Sequence, residues 1–343
     1  MKKKIIILLL LILMLFSITN IYYGVVSNYY IKQLIWFILG FILIYLISKF
    51  NLSIIFKYSF YLYLLGNFLL LITLLKSSYI NGARIWLNLG PFSFQPSEFM
   101  KIFLIIYLRE FTKKSISDFK YIIFSFIIVL IPSILTFLEP DTGAVLIYLI
   151  IWMVFLVLKK LNKWYYIISA FLVISFTFTF FILFYNYQDT FINIFGTNFF
   201  YRMDRITNFL NGEGYQIENA LKSTANAGLF GLKEKVYFPE SSTDFALSLL
   251  ISNFGLIGLT AFFIIYSLFF YFLSKLKSDK YLLYPVLIVL LIQYSINVLM
   301  NLSLFPIMGI TLPFLSYGGS SIISYMFLIG LIIKEKASLD TYL

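Results

Sequence analysis

The sequence predicts an all-α, polytopic membrane protein with about ten transmembrane helices and one large extracytoplasmic loop. Three observations point there. Of the 343 residues, 61% are hydrophobic and 12% are charged, whereas a soluble domain carries roughly 25% charged residues. A chain of that composition cannot hide its apolar surface by folding on itself, so its solvent is a bilayer. Apolar runs recur along the whole length, and the short stretches between alternate runs are basic. Residues 1–343 read as one transmembrane domain, with the polar loop at 186–244 inside it.

The elements follow in order. Met1-Lys2-Lys3-Lys4 and the apolar residues from Ile5 to Ile18 open like a signal peptide. No small-residue cleavage site follows, so this stretch reads as an uncleaved first helix. Later apolar runs fall near 34–48, 54–75, 98–108, 121–138, 143–158, 164–185, 245–273, 281–300 and 319–333. A span needs roughly 20 residues, so 98–108 and 143–158 have to borrow neighbours or be shielded by protein. The segment from Asn186 to Thr243 is too polar to cross, and its glycines suggest turns between short helices. With both termini cytoplasmic, seventeen of the 26 Lys and Arg residues fall on the inner side, as the positive-inside rule requires. Ten of the fifteen acidic residues fall on the outer side, four of them (Glu98, Glu139, Asp141 and Asp244) at span ends. Charges this close to hydrocarbon are costly and mark function, which places any chemistry on the outer face.

Composition also limits the chemistry. With no Cys there are no disulfides or thiol nucleophiles. With no His the commonest metal ligand and the commonest base near neutral pH are missing. Acid–base work falls to Asp, Glu, Lys, Tyr or water. The net charge of +11 fits cytoplasmic lysines of a polytopic chain rather than nucleic-acid binding.

Several clusters stand out. In Asn81 to Lys101, Gly82, Gly90 and Pro91 mark turns and Pro96 suits a first helical position. Glu98 and Lys101, three apart, share a helix face. They form either a simple ion pair or a polar pocket in which Lys101 or Arg84 meets an anionic group. Glu139-Pro140-Asp141-Thr142-Gly143 is a tight turn, and Asp141 either caps the next helix or contacts a cation or sugar. Arg202 and Arg205, also at helical spacing, can grip phosphate with paired hydrogen bonds or meet lipid headgroups. Ser241-x-x-Asp244 matches a capping box, yet it also puts a carboxylate where a wet loop meets an apolar run. Finally, Leu304 to Ser321, with two prolines and three glycines, reads as a broken or re-entrant segment. Such backbone is tolerated at membrane depth only where protein or a wet cavity surrounds it.

Three of these stretches together resemble the SEDS (shape, elongation, division and sporulation) family of RodA-, FtsW- and SpoVE-type proteins. They are Asn81 to Lys101 with its Gln95-Pro96-Ser97-Glu98 core, Pro239 to Phe245, and Pro306 to Ser321 ending in Ser316-Tyr317-Gly318-Gly319-Ser320. Glu139 to Gly143 and Gly214-Tyr215-Gln216 add support, and the likeness runs over nearly the whole chain. It implies a ten-helix peptidoglycan glycosyltransferase of the bacterial cytoplasmic membrane, active in cell elongation or division. Lipid II and an undecaprenyl-pyrophosphate-linked glycan are the implied substrates. A class B penicillin-binding protein of an elongation or division complex is the implied partner. The resemblance makes Asp244 the essential aspartate and gives Glu98 and Lys101 functional roles. Arg84, Arg202, Arg205 and Gln216 join them as expected substrate contacts. Asp141, Glu240, Thr243, Pro313, Ser316, Tyr317 and Gly318 are the expected supports. The chain departs from the family pattern where Ser252-Asn253 precede Gly255 in place of a Glu pair. It departs again where Glu218-Asn219 follow the Gly-Tyr-Gln motif, and in a thin glycine turn over Ala227 to Lys233.

On this reading Asp244 takes the proton of a sugar 4-hydroxyl while Lys101, Arg84, Arg202, Arg205 or a divalent cation balances the leaving pyrophosphate. Such a cation would need hard oxygen ligands, which suits Mg²⁺; no organic cofactor is expected. The rivals are a lipid II transporter (flippase) and an inactive scaffold for the penicillin-binding protein. A transporter calls for ionisable residues through the middle of the spans, whereas here they sit at the ends.

Overall fold

The computed structural model describes residues 2–24, 28–79, 82–90, 92–197, 209, 215–235 and 237–335. Among these, all ten apolar runs are helical. In chain order the elements are α1 (Lys2–Tyr23), α2 (Tyr29–Lys49), α3 (Leu52–Lys57) and α4 (Ser59–Lys76), then the strands β1 (Leu87–Leu89) and β2 (Phe92–Phe94). Next come α5 (Pro96–Thr112), α6 (Asp118–Leu138), α7 (Thr142–Leu158), α8 (Lys163–Asn186) and α9 (Gln188–Phe195). The chain continues with α10 (Tyr215–Ala225), α11 (Ala246–Ser274), α12 (Lys280–Asn301) and α13 (Gly319–Lys334). Six of the described helices (α1, α2, α4, α6, α11 and α12) are long and apolar enough to cross a membrane on their own, and α7 and α13 are shorter apolar helices. The protein is an all-α, multi-pass membrane protein.

The chain folds as two compact units, 1–54 with 208–343, and 55–207. In the first unit α2 packs along α13 and α1 along α11. Small residues let the first pair close up. A Cβ on Gly40 would stand 2.6 Å from the Met326 side chain, and one on Gly330 would stand 2.9 Å from Ile47. The stretch between α12 and α13 is not helical, as its prolines and glycines predict. Its backbone is instead satisfied by side chains of the surrounding helices. Tyr266 donates to the Pro313 carbonyl (3.0 Å), Asn297 to Ile310 (2.8 Å), Ser17 to Leu315 (2.9 Å) and Gln33 to Ser316 (3.0 Å). This is the condition under which irregular backbone survives within a membrane protein.

In the second unit α5 packs against α4, α6 and α7. Gly66 makes room on α4, since a Cβ there would meet Met100 Sδ at 2.5 Å. The 98–108 run extends to 17 residues by recruiting Pro96 to Thr112, and most of it is buried, so shielding by protein takes the place of length. Arg109, also buried, pairs with Glu110 and lies over the Phe56 ring at 3.6 Å. The 54–75 run is interrupted, α3 ending at Lys57 and α4 starting at Ser59. The turns read before Pro96 close a small antiparallel hairpin, in which Leu87 pairs with Phe94 and Leu89 with Phe92.

Candidate active site

Asp244 lies in the turn Ser241–Phe245, two residues before α11 begins. The cap position of α11 is Phe245, without a side-chain cap bond, so Ser241 does not stand at the cap position that a capping box requires. The turn is closed locally. Glu240 has φ 55, its carbonyl accepts the amides of Thr243 (3.1 Å) and Phe245 (3.0 Å), and its carboxylate accepts the Thr243 hydroxyl at 2.5 Å.

What fixes the turn is a run of three consecutive carbonyls, each accepting a hydrogen bond from a distant element. The Ser242 carbonyl accepts Tyr317 N–H at 2.7 Å. The Thr243 carbonyl accepts the Ser316 hydroxyl at 2.6 Å. The Asp244 carbonyl accepts the side-chain amides of Asn297 (2.9 Å) and Asn301 (3.1 Å). Asn301 Oδ1 in turn accepts the Ser248 amide (2.9 Å) and hydroxyl (2.7 Å) in the first turn of α11. Ser316 also accepts Leu312 N–H at 2.9 Å, and the Tyr317 ring stacks on Tyr29 with centroids 4.4 Å apart. Gly318 N–H donates to Gln33 at 3.3 Å. Pro313, Ser316, Tyr317 and Gly318 thus belong to the segment that grips the Asp244 turn. Below the turn Phe245 packs with Ile217, Ala220, Phe238 and Leu249, so α10 braces it too, and Gln216 sits half-buried on that helix.

The second unit gathers Arg84, Glu98, Lys101 and Asp141. Lys101 Nζ is 2.7 Å from Glu98 Oε2, with both side chains almost fully enclosed. Asp141 caps α7 through Ala144 N–H at 3.2 Å. Its other oxygen accepts Ser97 Oγ (2.9 Å) and Gln95 Nε2 (3.2 Å), which ties the start of α5 to the start of α7. Both of the simpler readings, the ion pair and the cap, are therefore realised. Arg84 donates its amide to the Glu139 carbonyl (3.2 Å), and its guanidinium lies 4.1 Å over the Tyr79 ring. Arg202 and Arg205 lie outside the described residues.

Several residues of this arrangement escape sequence reasoning. Asn297, Asn301 and Gln33 are amides inside apolar helices, and their cost there was the available signal. Glu139, read from the sequence as one of four acids at span ends, has surroundings the sequence does not reveal. It is fully buried, and neither side-chain oxygen has a hydrogen-bond partner. Burial, and secondarily the Asp141 charge, push its carboxyl up to about 9. It is therefore neutral at pH 7, which relieves the pair of one of two adjacent buried charges. Among the described residues no three carboxylates gather as a ready-made metal cluster.

Comparison with known proteins agrees with this architecture. The family model FTSW_RODA_SPOVE, described as "Cell cycle protein", matches residues 2–340. The chain is 31% identical over 339 residues to "Probable peptidoglycan glycosyltransferase FtsW" of Coxiella burnetii, covering 91% of this chain and 87% of that one. It is 29% identical over 292 residues to "Stage V sporulation protein E" of Bacillus subtilis, covering 74% and 71%. Among solved structures, RodA of Thermus thermophilus superposes with a TM-score of 0.69 at 23% identity, over 96% of this chain and 94% of that one. A chain from a study titled "Structural coordination of polymerization and crosslinking by a peptidoglycan synthase complex" reaches 0.79 at 24% identity, over 96% of both. These likenesses carry the fold, and the family match over nearly the full length carries the conclusion: the chain belongs to the FtsW/RodA/SpoVE family of cell cycle proteins.

Proposed function

We propose that this chain is a peptidoglycan glycosyltransferase that polymerises lipid II into glycan strands, with Asp244 as the base. The observation that carries the assignment is the three-carbonyl clamp on Ser242, Thr243 and Asp244. It holds a carboxylate-bearing residue by its main chain immediately before the start of a helix. In the reaction the acceptor sugar's 4-hydroxyl loses its proton to the Asp244 carboxylate. Its oxygen attacks the anomeric carbon of the growing strand, and the bond to undecaprenyl pyrophosphate breaks. Attack opposite the leaving group inverts the anomeric centre. A pyrophosphate departs without a proton once its charge is balanced, so one carboxylate serves where most glycosidases need two.

Lys101, Arg84, Arg202 and Arg205 are the cations assigned to balance the leaving pyrophosphate, Lys101 in company with its ion-pair partner Glu98. Asp141 ties the start of α5 to the start of α7. A divalent cation enters this reading only as a counter-ion carried on the pyrophosphate. The charge pattern supports both termini in the cytoplasm and catalysis on the opposite face. A crosslinking class B penicillin-binding protein as partner fits the structural neighbour whose title couples polymerization to crosslinking.

The experiment is purified protein given labelled lipid II. Glycan ladders support the enzyme. Movement of lipid II between leaflets without ladders replaces it with a transporter, and the absence of both leaves a scaffold.

A further inference from the structure

Helix α11 is too long for one crossing. Its 29 residues measure about 43 Å at 1.5 Å per residue, against a hydrocarbon core of about 30 Å. It is broken at Gly255, whose φ is 63° and ψ −160°. From there to Ser274 roughly 20 residues remain, one bilayer thickness. Helix α1 runs alongside as a ruler. At one end Lys2 Nζ donates to the Lys275 carbonyl at 3.0 Å. At the other, Tyr23 meets Phe254 edge-on at 5.7 Å, and Asn253 Nδ2 donates to Asn20 Oδ1 at 2.9 Å. The far end of α1 therefore coincides with the break.

The break is stitched by the segment from Ala227 to Leu232. Leu256 N–H donates to the Gly228 carbonyl (3.0 Å), Ile257 N–H to Leu229 (3.2 Å), and Leu232 N–H to Ser252 (2.8 Å). The backbones approach so closely that a Cβ on Gly255 would collide with the Leu229 carbonyl. One on Gly231 would collide with the Asn253 carbonyl. This backbone is held fast, yet Leu229 (58% exposed) and Phe230 (79% exposed) stay open, as do Leu256 and Ile257 of the α11 segment bonded to it. Lys233 and Lys235 follow, both exposed, and Lys235 Nζ lies 5.9 Å over the Tyr22 ring.

We propose that Leu229 and Phe230 form a membrane-interface anchor, inserted at the headgroup–acyl boundary of the leaflet at the Tyr23 end of α1, with Lys233 and Lys235 at the lipid phosphates. The occupant is phospholipid. The pair adjoins exposed apolar residues of a spanning helix and, on this proposal, sits at the depth where aromatic and basic side chains collect. Through the stitch, the leaflet steadies the break in the helix that carries the Asp244 turn. The anchor does not depend on the reaction assigned to Asp244.

The chain has no cysteine, so single Phe230→Cys and Leu229→Cys variants of the full chain can carry a nitroxide without background. They are reconstituted in phosphatidylcholine–phosphatidylglycerol liposomes, with Lys222→Cys on α10 as the water-exposed reference. Spin relaxation by oxygen and by a water-soluble nickel chelate reports depth. Oxygen access well above chelate access at both positions, and the reverse at Lys222→Cys, is the expected result. Chelate access equal to that of Lys222→Cys, or shielding from both relaxants as under a protein partner, overturns the proposal. Two surface positions are used so that misfolding of one variant leaves the other decisive.

Discussion

The Asp244 carbonyl accepts the Asn297 side-chain amide at 2.9 Å, across from a helix that joins it in sequence only 53 residues later. Asn297 also serves Ile310 in the irregular segment, so one buried amide sets both the aspartate turn and the stretch that grips it. Asn301, one helical turn on, bonds the same carbonyl and the first turn of α11.

Asn301→Ala leaves the buried Ser248 amide and hydroxyl without their acceptor. The expected cost is about 1–3 kcal/mol, read as a lower unfolding midpoint in detergent. Lipid II polymerisation falls with it, while retained lipid II binding marks the defect as one of positioning. Wild-type turnover in this variant would mean that the clamp does not set the aspartate.

Lys101 and Glu98 are enclosed together. Removing one partner strands a buried charge, so Lys101→Ala is expected to lose about 3–5 kcal/mol. The double variant Glu98→Gln with Lys101→Met removes both charges and recovers most of that loss. If its activity recovers as well, the pair is structural; if stability alone returns, the lysine also meets substrate.

Glu139 makes stability depend on pH. In the folded chain burial keeps its carboxyl protonated up to about 9, whereas unfolded it ionises near the usual 4.5. Folding therefore takes up a proton between those values. The residue's contribution is largest below pH 4.5, declines through the interval by roughly 1.4 kcal/mol per unit, and is flat above about 9. Glu139→Gln keeps the shape without the titration. Its melting temperature, compared with wild type from pH 5 to pH 9, should show a gap widening with pH. Parallel curves would show that Glu139 is already ionised.

The sequence makes the helices legible because each apolar run must become one in lipid. Pro96 marks the start of α5, and the glycines and prolines after α12 mark a break, for reasons that are local. The grip on Asp244 is not local. It consists of Asn297, Asn301, Ser316 and the Tyr317 amide, and isolated polar residues in apolar runs do not announce which carbonyl they will meet. Gly255 shows the same limit: the 245–273 run reads as continuous, and only the stitch from Gly228 and Leu229 explains how it breaks without losing hydrogen bonds. Glu139 reads as one acid among several at span ends, because burial without a partner is invisible in composition.

The most direct measurement is glycan synthesis from labelled lipid II by purified Asp244→Asn protein whose unfolding midpoint matches wild type. Loss of a positioned base predicts a fall of about 10²–10⁴-fold, with no ladder in the time wild type takes to complete one. A ladder formed at the wild-type rate would contradict the assignment of Asp244 as the group that receives the proton.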